Sequence, residues 1–190
     1  MRFDDGTTQR LYRQTIQDFG LYAGAELDMS TYEKLLVAAG EMSAKMRAVR
    51  IVSASSVSKK DLERRLIQKG EDPDHAKNAV AWMSDLDLID DQKTAEQVVR
   101  RCISKGYGIH RAKQALYEKR IPKQYWDEAL ADYPDQIAEI VSFLRSRLDK
   151  DSDSKEIHRA IEALSRKGHN YSEIRRGLQE LSLGDDYPEE

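Results

Sequence analysis

Leu66-Ile67-Gln68-Lys69 returns as Leu116-Tyr117-Glu118-Lys119 and again as Leu164-Ser165-Arg166-Lys167. The three leucines stand 50 and 48 residues apart. Ten residues after each comes a bulky or apolar side chain: Ala76, Trp126 and Ile174. Fourteen residues after each comes another aliphatic: Val80, Leu130 and Leu178. A repeat of this period marks a tandem array of small helical units. One such unit cannot bury its own apolar face, so the copies must stack. That arrangement favours an extended binding surface over a single catalytic pocket.

Working outward, the spacing predicts three short helices per unit. Ser30-Thr31-Tyr32-Glu33 reads as a capping box before a helix with Leu35, Leu36, Ala39, Met42, Met46 and Val49 on one face. A serine-rich stretch, residues 53–58, ends it. Ser58 with Asp61 is a second cap, and Gly70 closes the helix bearing Leu62 and Leu66. Asp72-Pro73 opens the next, with Ala76, Ala79, Val80, Met83 and Leu86 inward. The second unit opens at Asp90-Asp91 and carries Ala95, Val98, Val99, Cys102 and Ile103 at helical spacing. Gly106-Tyr107-Gly108 interrupts it; Ala112, Ala115 and Leu116 follow. Pro122 then starts a helix with Trp126, Ala129, Leu130 and Tyr133 inward. The third unit runs through Ile137, Ile140, Val141 and Leu144, breaks at residues 149–154, and resumes with Ile157, Ala160, Ile161 and Leu164, then Ile174, Leu178 and Leu181.

The predicted fold is all-α: three tandem three-helix repeats in an elongated, curved array with a small N-terminal appendage. The expected boundaries are 1–28 for the appendage, 29–89, 90–134 and 135–184 for the repeats, and 185–190 for an acidic tail. Within the appendage, Phe3-Asp4-Asp5-Gly6 looks like a strand end entering a turn.

Composition narrows the function classes. Charged residues make up 34% and the net charge is -3, so bulk charge does not draw this chain to a polyanion. Cys102 is the single cysteine, which excludes an intramolecular disulfide and a thiolate zinc cluster. Its place on an apolar stripe makes it a small buried hydrophobe. No apolar run is long enough to span a bilayer, and residues 1–6 lack the basic-then-apolar order of a signal peptide. The expectation is a cytoplasmic, monomeric protein without a membrane partner.

Catalytic signatures are scarce. There is no phosphate-binding glycine loop followed by Lys-Ser/Thr. His75, His110, His158 and His169 are scattered, with no i, i+4 pair to hold a metal. No enzyme, metal or cofactor is expected. Basic residues are more informative. Between residues 95 and 130 there are eight, Arg100, Arg101, Lys105, Arg111, Lys113, Lys119, Arg120 and Lys123, against four acids. Lys59, Lys60, Arg64, Arg65 and Lys69 form a similar cluster in the first unit. Arg145, Arg147, Arg159, Arg166, Lys167, Arg175 and Arg176 form one in the third. Aligned in register, these would suit phosphates or an acidic protein groove; unaligned, they are solvated helical faces. Tyr107 reads equally as a contact residue or as the cover of a helix junction. Trp82 and Trp126 read as core.

Residues 58–130 resemble the RecX family of bacterial regulators of the RecA recombinase. The resemblance rests on an ordered succession. Asp61-Leu62-x-x-x-Leu66-x-x-Lys69-Gly70 comes first, and Leu86-x-Leu88-Ile89-Asp90-Asp91-x-x-x-Ala95 second. Lys105-Gly106-Tyr107-Gly108 and Leu116-x-x-Lys119 complete it. Two positions depart from the family pattern. Arg120 stands where glycine is usual, and Ile109-His110 follows Gly-Tyr-Gly where proline is common. The resemblance implies tandem three-helix repeats. It also implies binding along the groove of the RecA–DNA filament, inhibition of strand exchange and ATP hydrolysis, and a role in recombinational repair and the SOS response. It carries Lys105, Gly106, Tyr107 and Gly108 over as a motif. Arg64, Arg65, Arg100, Arg101, Arg111 and Lys113 join the candidate partner surface on charge alone, with weak contact to single- or double-stranded DNA. A direct nucleic-acid-binding module and an adaptor repeat with another partner are the alternatives.

Overall fold

A computed structural model describes residues 1–4, 6–149 and 151–181. The expected tail, 185–190, lies outside them. Among the described residues the chain is all-α, and no strand forms; Arg2 and Thr8 make a single antiparallel bridge around the predicted N-terminal turn. The chain divides into two compact units, residues 1–90 and 91–190.

The first unit contains α1 (Arg13–Asp18), α2 (Met29–Ala54), α3 (Lys59–Gln68) and α4 (Pro73–Asp85). α2 starts earlier than the Ser30 capping box predicts. Asp28 is the cap: its carboxylate accepts the Thr31 amide at 2.9 Å and the Thr31 hydroxyl at 2.8 Å. A carboxylate taking two donors outcompetes a serine for the helix start, and those bonds, the Thr31 amide foremost, hold Asp28 below the ordinary carboxylate range. Ser58 caps α3 through the Asp61 amide, and Asp72 with Pro73 opens α4, both as the sequence predicts. The core joins Ala44, Ala48, Val57, Leu62, Leu66, Ala76, Ala79 and Met83. Small alanines on α2 let α4 approach closely. Leu36 and Leu86, expected inward, are exposed. Leu86 caps the end of α4, where Asp87 turns the chain with φ +54.

The second unit contains α5 (Asp91–Ser104), α6 (Ile109–Glu118), a 3-10 turn (Lys123–Tyr125), α7 (Trp126–Leu130), α8 (Ile137–Arg145), α9 (Ser154–Arg166) and α10 (Tyr171–Glu180). The helix predicted after Pro122 is therefore a 3-10 turn running into five α-helical residues. Two apolar clusters fill this unit. Ala95, Val99, Leu116 and Ile121 form one, with Trp126 and Tyr133 packed on it. Trp126 is anchored there by donating Nε1–H to the Ile121 carbonyl at 3.0 Å. Ile140, Leu144, Ile157, Leu164, Ile174 and Leu178 form the other. α9 and α10 each begin with a complete capping box, Asp153 with Glu156 and Asn170 with Glu173. Such reciprocal caps each stabilise a helix start by about 1 kcal/mol. The Asn170 box makes the start of α10 sharp and so fixes one end of the loop between α9 and α10.

Candidate partner-binding surface

The candidate residues fall into those bound within their own helices and those left available. Asp61 is 2% exposed, and both Arg64 and Arg65 reach it at 2.8 Å. These guanidiniums neutralise a buried carboxylate, and an unpaired charge there would be costly. Arg111 pairs with Glu118 at 3.1 Å, and Arg100 lies 3.6 Å from Glu96. Arg101, Lys105 and Lys113 are exposed and make no ion pair with a described residue.

The Lys105-Gly106-Tyr107-Gly108 loop, between α5 and α6, is a joint. It docks on Lys167-Gly168-His169, the loop between α9 and α10. The Gly108 amide donates to the Lys167 carbonyl at 3.0 Å and the His110 amide to the Gly168 carbonyl at 3.2 Å. A Cβ on Gly108 would stand 2.1 Å from the Gly168 oxygen, and one on Gly168 would stand 2.3 Å from the Arg111 nitrogen. Backbone approach this close admits only glycine on either side.

Two side chains fasten the joint. Tyr133 donates its hydroxyl to the Tyr107 carbonyl at 2.6 Å, and burial pushes its phenol up to about 12. His169, 4% exposed, meets the Gly106 carbonyl through Nε2 at 3.1 Å. A carbonyl only accepts, so Nε2 carries the proton. Nδ1 is then a buried acceptor without a partner among the described residues. Burial, outweighing the Gly106 bond, holds the His169 ring below its ordinary pKa and keeps it neutral. Tyr107 is half-buried, with Lys105 Nζ 6.0 Å from its ring centroid. Its carbonyl is held in the junction by the Tyr133 hydroxyl, and its ring is partly open to solvent. Cys102 is buried and its thiol is pushed up by desolvation, in keeping with a packing role.

Beside the joint runs a groove of about 550 Å³ whose walls include Lys105, Glu139, Phe143, Lys167 and His169. Lys167 Nζ lies 4.5 Å from the Phe143 ring centroid, and the Arg147 guanidinium carbon 5.1 Å. Phe143 and His169 were not among the candidates, and Arg147 and Lys167 entered only as members of the third unit's basic cluster. The parallel between Lys105-Gly106-Tyr107 and Lys167-Gly168-His169 is the signal that points to Lys167 and His169. Nothing comparable in the sequence marks Phe143.

No group of three or more His, Cys, Asp or Glu side chains placed to hold a metal occurs among the described residues. No helix among them is long and apolar enough to cross a membrane.

A family model, the second three-helix domain of RecX, matches residues 90–130. The regulatory protein RecX of Vibrio campbellii is 27% identical over 150 residues, covering 77% of this chain and 96% of that protein. The regulatory protein RecX of Clostridioides difficile is 26% identical over 190 residues, covering 97% of this chain and 89% of its own length. The crystal structure of RecX from Lactobacillus salivarius superposes with a TM-score of 0.67 at 26% identity, covering 77% of this chain and 99% of that one. The matched region spans α5, α6 and α7, which supply one side of the joint, and the longer matches extend over most of the chain. Over most of its length the chain is similar to regulatory proteins named RecX.

Proposed function

We propose that this protein binds the RecA–DNA filament and inhibits RecA's ATPase and strand exchange, as a non-catalytic regulator of DNA repair and the SOS response in the cytoplasm. The observation that carries the reading is the near full-length similarity to regulatory proteins named RecX, 96% of the Vibrio campbellii chain. The motif succession over residues 58–130 supports the same reading. The three apolar clusters, one in the first unit and two in the second, are taken as the cores of repeats 29–89, 90–134 and 135–184. In this reading Arg101, Lys105 and Lys113 are the cations offered to the filament. Arg64, Arg65 and Arg111 serve chiefly to hold their own helices.

The test is RecA's ATPase on single-stranded DNA while the protein is titrated in, beside an Arg101→Glu/Lys105→Glu variant. Inhibition by the wild type that weakens in the variant is the expected outcome. ATPase and strand exchange unchanged at saturating protein would end the reading.

A further inference from the structure

We infer that the groove beside the inter-repeat joint binds the phosphodiester backbone of single-stranded nucleic acid, with Lys105 and Lys167 in its walls and Arg147 beside them on the Phe143 ring as the cations. The inference deepens the proposed function, since it gives a filament ligand its own contact with the strand. It rests on that reading for its setting, but the groove's chemistry can be tested without RecA.

Three observations converge. The first is charge. Lys105, Lys167 and Arg147 make no ion pair with a described residue, whereas Arg64, Arg65, Arg111 and Arg176 in the same chain all do. Glu139 is the one carboxylate among the groove's walls. Two lysines in the walls of one concavity, with an arginine beside them, repel each other until an anion enters, and such a cleft focuses potential on its ligand.

The second is preorganisation. Lys167 and Arg147 are both laid against Phe143, and Lys105 lies near the Tyr107 ring. Resting on aromatic faces restricts these side chains before any ligand arrives, which lowers the entropy lost on binding. The joint fixes the backbone beneath Lys105 and Lys167 through the Gly108 and His110 amides.

The third is what else the groove offers. Two of the three cations are lysines, compact charges that suit phosphate oxygens without bidentate geometry. Glu139 repels carboxylates and phosphates alike, but it also accepts hydrogen bonds from base amino groups, which the side chains of an acidic peptide do not offer. A nucleic acid satisfies cations and carboxylate together. In a duplex those base edges are stacked and paired. A single strand can bring its backbone and a splayed base into one narrow groove, the combination of charge and aromatic surface that strand-binding proteins use.

The experiment is fluorescence anisotropy of the full chain with a labelled oligo-dC strand across a salt series. A same-length duplex and unlabelled poly-glutamate serve as comparisons. Each phosphate contact with a single strand contributes a slope of about 0.7 in log affinity against log salt. Lys105→Gln/Arg147→Gln/Lys167→Gln is expected to flatten the slope by about 2 and to weaken low-salt binding roughly tenfold or more. Lys123→Gln/Lys155→Gln/Arg159→Gln, equal in charge and away from the groove, should leave the slope unchanged. Lys167→Arg should keep it. Absence of strand binding by the wild type, or equal loss in the control triple, overturns the inference. A duplex that loses the same slope in the groove variant removes the single-strand assignment, and poly-glutamate that displaces the strand at equal charge reassigns the groove to an acidic peptide. RecA inhibition is read separately. Strand binding without inhibition defeats the proposed function and leaves the groove standing, and inhibition without strand binding does the reverse.

Discussion

Lys69-Gly70 and Lys167-Gly168 are the same signal in sequence, and they do different things. Each closes a helix, and the glycines share a left-handed backbone, φ +87 at Gly70 and +89 at Gly168. Around Gly70 an added Cβ meets nothing within 4 Å. Around Gly168 it collides with the Arg111 backbone of the neighbouring repeat. The first loop ends a helix. The second ends a helix and also carries the contact between two repeats. A local cap motif is thus reused at Gly168 as an inter-repeat bond, where the partner loop presents Gly108.

The largest effect that could break this comparison is Gly168→Ala. It adds left-handed strain of about 1–2 kcal/mol and a backbone collision costing roughly 1–3 kcal/mol more. We expect a loss of about 3 kcal/mol in chemical denaturation. Faster hydrogen exchange at the Gly108 and His110 amides should accompany it. Slow exchange at both amides in the variant would show that the joint does not depend on this glycine.

A smaller effect follows from His169, which the joint keeps neutral. Glu173, Lys167 and Glu139 are the charged groups that act on it, and Gly106 supplies its bond. Well above pH 6.5 the ring is neutral whether folded or unfolded and contributes no pH dependence. Below 6.5 the unfolded chain takes up its proton first, because burial depresses the folded pKa. Stability therefore falls as the pH drops through that window, and levels off once the folded ring also protonates. His169→Gln can still donate to Gly106 and cannot titrate. The melting temperature of the wild type should drop more than that of the variant between neutral and mildly acidic pH. Parallel curves would remove His169 as the titrating group. Glu71 takes the equivalent place after Gly70. Its carboxylate is satisfied by Ser43 and Arg47.

Gly70→Ala should cost less than Gly168→Ala, about 1 kcal/mol, because only the backbone preference is lost. Equal losses at the two glycines, measured by the same denaturation, would mean that strain alone decides and that the joint adds nothing.

Most of the fold was legible because it is written in local signals. Ser58 and Asp72 cap where the sequence places them, and Leu66, Leu116 and Leu164 are all buried. The errors have local causes too. Ser30 lost to Asp28 because a carboxylate is the stronger cap, and Leu86 turned outward because the helix ends beneath it. The binding surface was less legible. Charge density along the chain cannot tell Arg64, committed to a buried Asp61, from Lys105, which has no such partner. The distinction depends on which acids fold nearby. Arg147 follows Phe143 at i,i+4, a spacing the sequence shows, but Lys167 reaches Phe143 from the end of α9, a contact with α8 that no spacing announces. Tyr107 carried the right motif and was offered two roles. The Tyr133 and Lys167 contacts of its loop hold the backbone in the junction and do not involve the Tyr107 ring.

The smallest expected effect concerns the loop where the repeated signal departs. Lys119 is followed by Arg120, yet the chain keeps the same turn, with φ +55 at Arg120. The Arg120 amide still donates to the Tyr117 carbonyl at 2.9 Å, and the Ile121 amide to Leu116 at 3.1 Å. The backbone thus makes the cap that glycine makes at 70 and 168, but with a side chain that the left-handed region penalises by about 1–2 kcal/mol. Glycine would relieve that strain and return part of it as freedom in the unfolded chain, about 0.5–1 kcal/mol. Arg120→Gly should therefore raise stability by up to about 1 kcal/mol, seen as a higher denaturation midpoint with an unchanged slope. A lower midpoint would mean that the contacts of the Arg120 side chain outweigh its backbone strain. In that case the departure at 120 is a third use of the same loop, neither a bare cap nor a glycine joint.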